Sequence, residues 1–265
     1  MRLFDAAVLT GRIGLPLLMA LSLFVPARAA DPAIDVVVYG GTAGGVSAAV
    51  TAARVGRTVL LIEPSAHLGG MTSGGLGATD IGNKAVIGGF AREFYRRLGR
   101  HYAQDASWRF QKRGDYKSGR QQGGETEMWT FEPHVAERLF HEACQQAGVQ
   151  VLLNERLDLV RGVAKDDARL RSLWLESGKH IQARVFIDAS YEGDLMAKAG
   201  VAYHVGREAN ATYGESLNGV QTANATKHQF KVPIDPFREP GNPTSGLLFG
   251  IHAGTPGRDG AGDRR

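Results

Sequence analysis

Gly40, Thr42 and Gly45, in the stretch "VYGGTAGGVSAA", have the spacing of a G-x-G-x-x-G phosphate-binding turn with threonine at the middle position. In such a turn the first glycine makes the bend. The second lets backbone approach a diphosphate, and the third lets the following helix pack on the preceding strand. The attraction comes chiefly from backbone N–H groups around Gly41 and Gly44 and from the positive end of the helix they open. Thr42 weakens one of the three roles, and its hydroxyl is expected to compensate by donating to a phosphate oxygen. Glu63 closes the next apolar run, 23 residues after Gly40, where a carboxylate accepts hydrogen bonds from ribose hydroxyls and disfavours a 2′-phosphate, which argues against NADP. The turn by itself leaves three readings open: FAD, NAD, or a glycine turn without a nucleotide.

Two further stretches carry chemistry. In "EPSAHLGGMTSGGLG" the clustered glycines after Pro64, including Gly69 and Gly70 beside Met71, mark backbone that comes close to something. In "VFIDASYEGDLMAKAG" an apolar strand ends in Asp188 and Ser190, and Asp194 opens a short helix. Small residues and N–H groups then stand at a strand's carboxyl end, where open α/β sheets bind ligands. Asp194 reads equally well as a helix cap. The eight histidines form no constellation, His134 and His141 read as a solvated helix face, and no H-x-x-x-H spacing appears. No metal is expected and no residue is assigned to catalysis.

These residues need elements to position them. Residues 34–39 form an apolar run suited to a strand buried on both faces. Residues 44–55 suit a helix stopped by Gly56, and residues 58–63 suit a second strand, which together make a βαβ unit. Residues 66–90 give no assignment, and residues 91–99 read as a helix ended by Gly99. Residues 100–128 are polar and aperiodic, an expected exposed excursion or lid. Pro133 suits the first turn of a helix carrying Val135, Leu139, Ala143 and Ala147 at intervals of four, with Gly148 at its stop. Strands follow at 149–153, at 170–175 with a turn at 177–179, and at 185–187. Beyond residue 200 the signals are faint.

Taken together, "YGGTAGGVSAA", "EPSAHLGGMTSGGLG", "FEPHVAERLF" and "FIDASYEGDLMAKAGVAYHVGRE" resemble the FAD-dependent oxidoreductases of the broad glutathione-reductase-like type. In that group threonine is usual in the middle of the turn and alanine is common at the place of Gly44. The resemblance runs over about residues 34–250. It implies an α/β fold, a Rossmann-like FAD-binding domain whose parallel sheet carries the βαβ unit and a β-meander crossover, followed by the start of a substrate domain. It implies FAD held by Gly40, Gly41, Thr42, Gly44, Gly45, Glu63, Pro64, Gly69, Gly70, Met71, Asp188, Ser190 and Asp194. The helix at 131–140 is implied to be structural. The group is related to the flavin subunit of heterodisulfide reductase, which works beside iron–sulfur clusters. One cysteine, Cys144, cannot supply such ligands or an intrachain disulfide, and its amphipathic helical setting makes it a core residue.

Composition sets the remaining bounds. With 43% hydrophobic and 22% charged residues the chain is globular. Residues 1–29 hold Arg2 and Arg12, an apolar run and the Ala27-Arg28-Ala29 site of a secretory signal, so export to the periplasm or medium is expected, with no stable membrane anchor afterwards. Without these residues the net charge falls from +4 to +2, which excludes a nucleic-acid footprint. The expected organisation is a signal at 1–29, an FAD-binding domain at 30–210 with the excursion at 100–128, and an incomplete substrate-domain segment with a disordered tail at 211–265. No late strand and glycine turn returns to the cofactor after residue 210, which suggests a truncated flavoprotein. The function implied is flavin-mediated hydride or two-electron transfer from a small organic substrate. The alternatives are a non-catalytic dinucleotide-binding or carbohydrate-associated module, or an inactive fragment of a flavoenzyme.

Amino-terminal sequencing of exported protein is expected to begin at Ala30. A cytoplasmic protein that still begins at Met1 overturns the signal.

Overall fold

β1 (Val36–Tyr39) reads Val-Val-Val-Tyr because both of its faces are covered. Val36 and Val38 join one buried cluster, and Val37 and Tyr39 join the other. The computed structural model describes residues 34–221, 232–251 and 254–260, so the signal expected at 1–29 and its expected cleavage after Ala29 lie outside the described residues. β1 pairs in parallel with β2 (Val59–Glu63) on one side and with β7 (Val185–Asp188) on the other, and β3 (Gln150–Leu153) extends the sheet beyond β2. The order β3-β2-β1-β7 makes an α/β sheet whose direction of winding reverses at β1.

On one face lie α1 (Ala43–Arg54), α2 (Gly89–Tyr102) and α3 (Pro133–Ala147). On the other lies an antiparallel meander, β4 (Val163–Asp166), β5 (Arg169–Trp174) and β6 (His180–Gln182), which carries the chain from β3 to β7. Leu173 and Leu175 of the meander are fully buried in one cluster with Val37 and Tyr39 of β1 and Leu60 and Ile62 of β2. Burial on both faces explains why β1 and β2 are continuous apolar runs, whereas β5 is mixed, with Arg169 and Arg171 exposed and Ser172 and Leu173 buried side by side.

α3 follows its sequence closely. Pro133 occupies the first turn, Gly148 caps the far end in the left-handed conformation, and Val135, Leu139 and Ala143 are buried. Cys144 is buried beside them, and burial pushes its thiol up to about 11, so it packs as a small apolar side chain. Phe140 stacks on Phe94 of α2 with centroids 4.5 Å apart.

α2 departs from expectation. It runs through Gly99 to Tyr102, because Gly99 admits a neighbour instead of ending the helix: a Cβ there would overlap the Thr126 carbonyl oxygen. That contact belongs to a wider attachment. Residues 103–126 are mostly exposed, but the segment ends in buried Glu127, Met128 and Trp129. Glu127 accepts hydrogen bonds from Arg92 Nη1 and Arg96 Nε, both at 3.0 Å, and Trp129 packs on Tyr95 at 4.5 Å. Two guanidinium groups satisfy a carboxylate that would otherwise be costly to bury.

After β7 comes the short α4 (Asp194–Lys198). Further on, α5 (Asn210–Tyr213) belongs to a segment tied to residues 257–260, where Val220 and Gly257 exchange backbone hydrogen bonds with their partners at 2.9–3.0 Å. Among the described residues no helix is long and apolar enough to cross a membrane.

Gly99→Ala should lower stability by about 1–3 kcal/mol through overpacking. Helix propensity alone predicts the opposite sign. A denaturation midpoint that is unchanged or raised would remove the Thr126 contact from the account.

Candidate functional site

The turn after β1 is a seam between two loops. Gly40 has φ +101°, in the left-handed region, and its N–H donates to the Ile62 carbonyl at 2.8 Å. A Cβ on Gly40 would stand 2.5 Å from the Ser190 nitrogen, so only glycine lets the β1 turn lie against the loop after β7. At Gly45 a Cβ would overlap the carbonyl oxygen of Gly40, which is the close helix-to-strand approach assigned to the third glycine. Gly44 differs: a Cβ there meets nothing nearer than the Thr42 hydroxyl at 3.7 Å, so alanine fits.

Thr42 is the N-cap of α1. Its Oγ1 accepts from the Gly45 N–H at 3.1 Å and donates to the Ala189 carbonyl at 2.9 Å, and the residue is almost fully buried. A hydroxyl has one proton, and this one is committed. In this structure Thr42 starts the helix and fastens the two loops together.

Glu63 reaches back from the end of β2. Its Oε2 accepts from the Gly41 N–H at 2.6 Å and its Oε1 from the Ser65 N–H at 2.8 Å. A carboxylate offers about four acceptor positions, so two remain for a ligand's hydroxyls. Asp188 organises the opposite loop. Its Oδ1 accepts from the backbone and hydroxyl of Ser190, and its Oδ2 accepts from the Met196 N–H at 2.8 Å, inside the first turn of α4. The side-chain cap read for Asp194 is corrected accordingly. Gly193 occupies the cap position, Asp194 sits one residue into the helix, and Asp188 supplies the capping bond from outside.

At the carboxyl ends of β1, β2 and β7 these parts enclose a cleft of about 770 Å³. Of the residues picked from sequence, Gly40, Thr42, Glu63, Pro64, Gly70 and Ser190 line it. Gly41, Gly44, Gly45, Gly69, Met71, Asp188 and Asp194 stand outside its wall, and several of them hold the wall in place. Gly69 gives room to Phe140, and the Met71 N–H donates to the Tyr191 hydroxyl at 2.9 Å. The wall also contains residues that sequence reasoning missed. His67 Nδ1 lies 2.9 Å from Glu137 Oε1, with His134 one turn earlier on α3, and Tyr191 spans from the β7 loop to the glycine track. Tyr191 was within reach, since it adjoins Ser190. The α3 residues carried no such signal, because their place depends on how that helix crosses the sheet. Among the described residues no cluster of His, Cys, Asp or Glu could hold a metal.

The donor set fits the adenosine-diphosphate half of a dinucleotide. α1 has twelve residues, long enough to present a partial positive charge, equivalent to roughly half a unit, at its first turn. The wall holds Glu63, Glu137 and Glu192 but no lysine or arginine, so a diphosphate there relies on the helix end and backbone N–H groups. The same lack of side-chain cations suits a free ribose diol on Glu63 better than a 2′-phosphate.

A family model described as FAD dependent oxidoreductase matches residues 35–245. Among solved structures the chain is similar to L-proline dehydrogenase from P. horikoshii, at 14% identity over 67% of this chain and 59% of that one, with a TM-score of 0.40. It is also similar to L-amino acid deaminase from Proteus vulgaris, at 17% identity over 68% and 53%, TM-score 0.43, and to the flavin-containing monooxygenase from Stenotrophomonas maltophilia, at 18% over 71% and 44%, TM-score 0.36. The chain spans less than two thirds of the length of each. No curated protein matches it.

Thr42→Val should cost about 1–2 kcal/mol, since it removes the helix cap and leaves the Ala189 carbonyl without its donor. Thr42→Ser should retain most of the stability. A valine variant with an unchanged thermal midpoint would show that the hydroxyl fastens nothing.

Proposed function

The chain belongs to the FAD dependent oxidoreductase family, and from that premise we propose that its cleft holds the adenosine-diphosphate half of FAD in an exported enzyme that oxidises a small organic compound. One observation carries this reading: the Glu63 carboxylate, already bonded to the Gly41 N–H, lines the same cleft as Thr42, the N-cap at the positive end of α1. Those are the two recognition elements that a ribose and a diphosphate require. Bound FAD supplies the two-electron acceptor.

The chain's own residues bind and orient. The α1 end and the N–H groups beside it counter the diphosphate charge, and the free acceptor positions of Glu63 take the ribose hydroxyls. Asp188 holds the β7 loop rigid against the turn, so the cleft floor keeps its shape when water leaves. Tyr191, bonded to the Met71 N–H, bridges the two sides of the cleft and keeps the glycine track beside it. Export in unfolded form, with FAD acquired afterwards, follows from a signal without a twin-arginine pair.

Reconstitution with FAD should give a protein-bound flavin absorbance spectrum. Glu63→Ala should weaken FAD binding by about 1–3 kcal/mol, the range for hydrogen bonds to a charged group, and Glu63→Gln should weaken it less. Titration of flavin fluorescence measures both, with thermal unfolding as the check on folding. An unchanged dissociation constant in Glu63→Ala removes Glu63 from the ribose, and a chain that takes up no flavin favours the non-catalytic module.

A further inference from the structure

A second cavity, of about 380 Å³, shares no wall residue with the dinucleotide cleft. It is adjacent in the chain at two points: Gly77 and Ala78 continue the glycine track, and Glu132 directly precedes α3. Its walls are aromatic, formed by Tyr102, Trp108, Tyr116 and Phe131 with Met128, and one acid, Glu132, faces in among them.

The rings are held in place. Trp108 Nε1 donates to the Tyr102 carbonyl at 2.9 Å, and the Trp108 ring packs on Tyr102 and Tyr116 with centroids 5.5 and 5.1 Å away. The Tyr116 hydroxyl is bonded to Thr130 Oγ1. The Tyr102 hydroxyl donates to Glu132 Oε2 at 2.6 Å and accepts from the Glu132 N–H at 2.9 Å. With their polar ends engaged, the phenols present mainly π surface to the cavity.

Glu132 differs from Glu125 and Glu127. Glu125 is paired with Lys84 at 2.7 Å and Glu127 with Arg92 and Arg96 at 3.0 Å, but Glu132 has no ion pair among the described residues. The aromatic side shows the same contrast. Trp129 has Lys84 and Arg92 over its ring, whereas no cation of the described chain stands over the rings that line this cavity. Arg109 also contributes to the wall, but it is exposed, as is Phe110 at the mouth, and water screens its charge.

We propose that this cavity binds an organic ammonium group, held by the faces of Tyr102, Trp108 and Tyr116 and by the carboxylate of Glu132. A cation over aromatic faces is attracted by their quadrupoles, and the attraction strengthens as water is excluded. A neutral apolar ligand would bury the Glu132 charge with only the Tyr102 hydroxyl to offset it, and an anion would be repelled by it. The proposal names a substrate class for the function above, and depends on that function only for the step from ligand to substrate.

Calorimetric titration of the full chain with choline and with its neutral carbon isostere, 3,3-dimethylbutan-1-ol, tests the site, while FAD binding is followed separately by visible absorbance. Choline should bind about tenfold or more tightly than the isostere. Glu132→Gln, which keeps an acceptor for Tyr102, should abolish that preference and leave FAD affinity unchanged, and Trp108→Leu should weaken choline binding by a similar factor. Equal affinity for the two probes, no choline binding, or a preference that survives Glu132→Gln overturns the proposal. Choline binding in a chain that takes up no flavin would keep the ammonium site and remove the cofactor reading.

Discussion

The contact between Gly40 and Ser190, secured by the Thr42 hydroxyl on the Ala189 carbonyl, is the constraint from which the rest of the site follows. β1 and β7 are hydrogen-bonded neighbours, yet Tyr39 and its partner Asp188 stand 149 positions apart in the chain, and the two loops that leave them compete for the same space. A side chain at position 40 would force them apart. With none, the β1 turn closes tightly, α1 starts at once, and its N-cap Thr42 lines the crevice where the winding of the sheet reverses.

The two layers around the sheet then divide the work. The meander closes one face with Leu173 and Leu175, a purely apolar function, and returns the chain to β7 in register with β1. The helical face does more. Phe140 on α3 fills the space that Gly69 leaves, so the same helix that packs against Phe94 also sets the path of the glycine track and brings Glu137 within hydrogen-bond reach of His67. Packing and site geometry are therefore linked in α3. A core substitution at Phe140 would be felt at the cleft as well as in stability.

The segment after α2 shows how exposure and attachment coexist. Most of its residues meet water, but Glu127 is held by Arg92 and Arg96, and Gly99 lets the backbone of Thr126 approach the helix. This anchoring converts an aperiodic polar stretch into a fixed wall, and gives Trp108 and Tyr116 a defined cavity to line.

Local pattern alone determined the βαβ unit, the start of α3 at Pro133 and its stop at Gly148, the burial of Cys144, and the place of Glu63 at the end of β2. Each depends on neighbours within a few residues: a period of 3.6 or 2, a cap, a glycine in the left-handed region. The residues of the β1 turn and the acid that follows it were legible for the same reason. Tertiary structure alone decided which of them face the cleft. Thr42 turned inward because Ala189, 147 residues away, offers an acceptor, and Asp188 instead of Asp194 caps α4 because the loop folds back on itself. Gly99 looked like a helix stop and is a point of contact with Thr126, and His134 and Glu137 entered the wall only through the crossing of α3 over the sheet. Propensity acts along the chain, whereas these outcomes turn on which distant backbone arrives within hydrogen-bond or van der Waals reach, and no local pattern encodes that arrival.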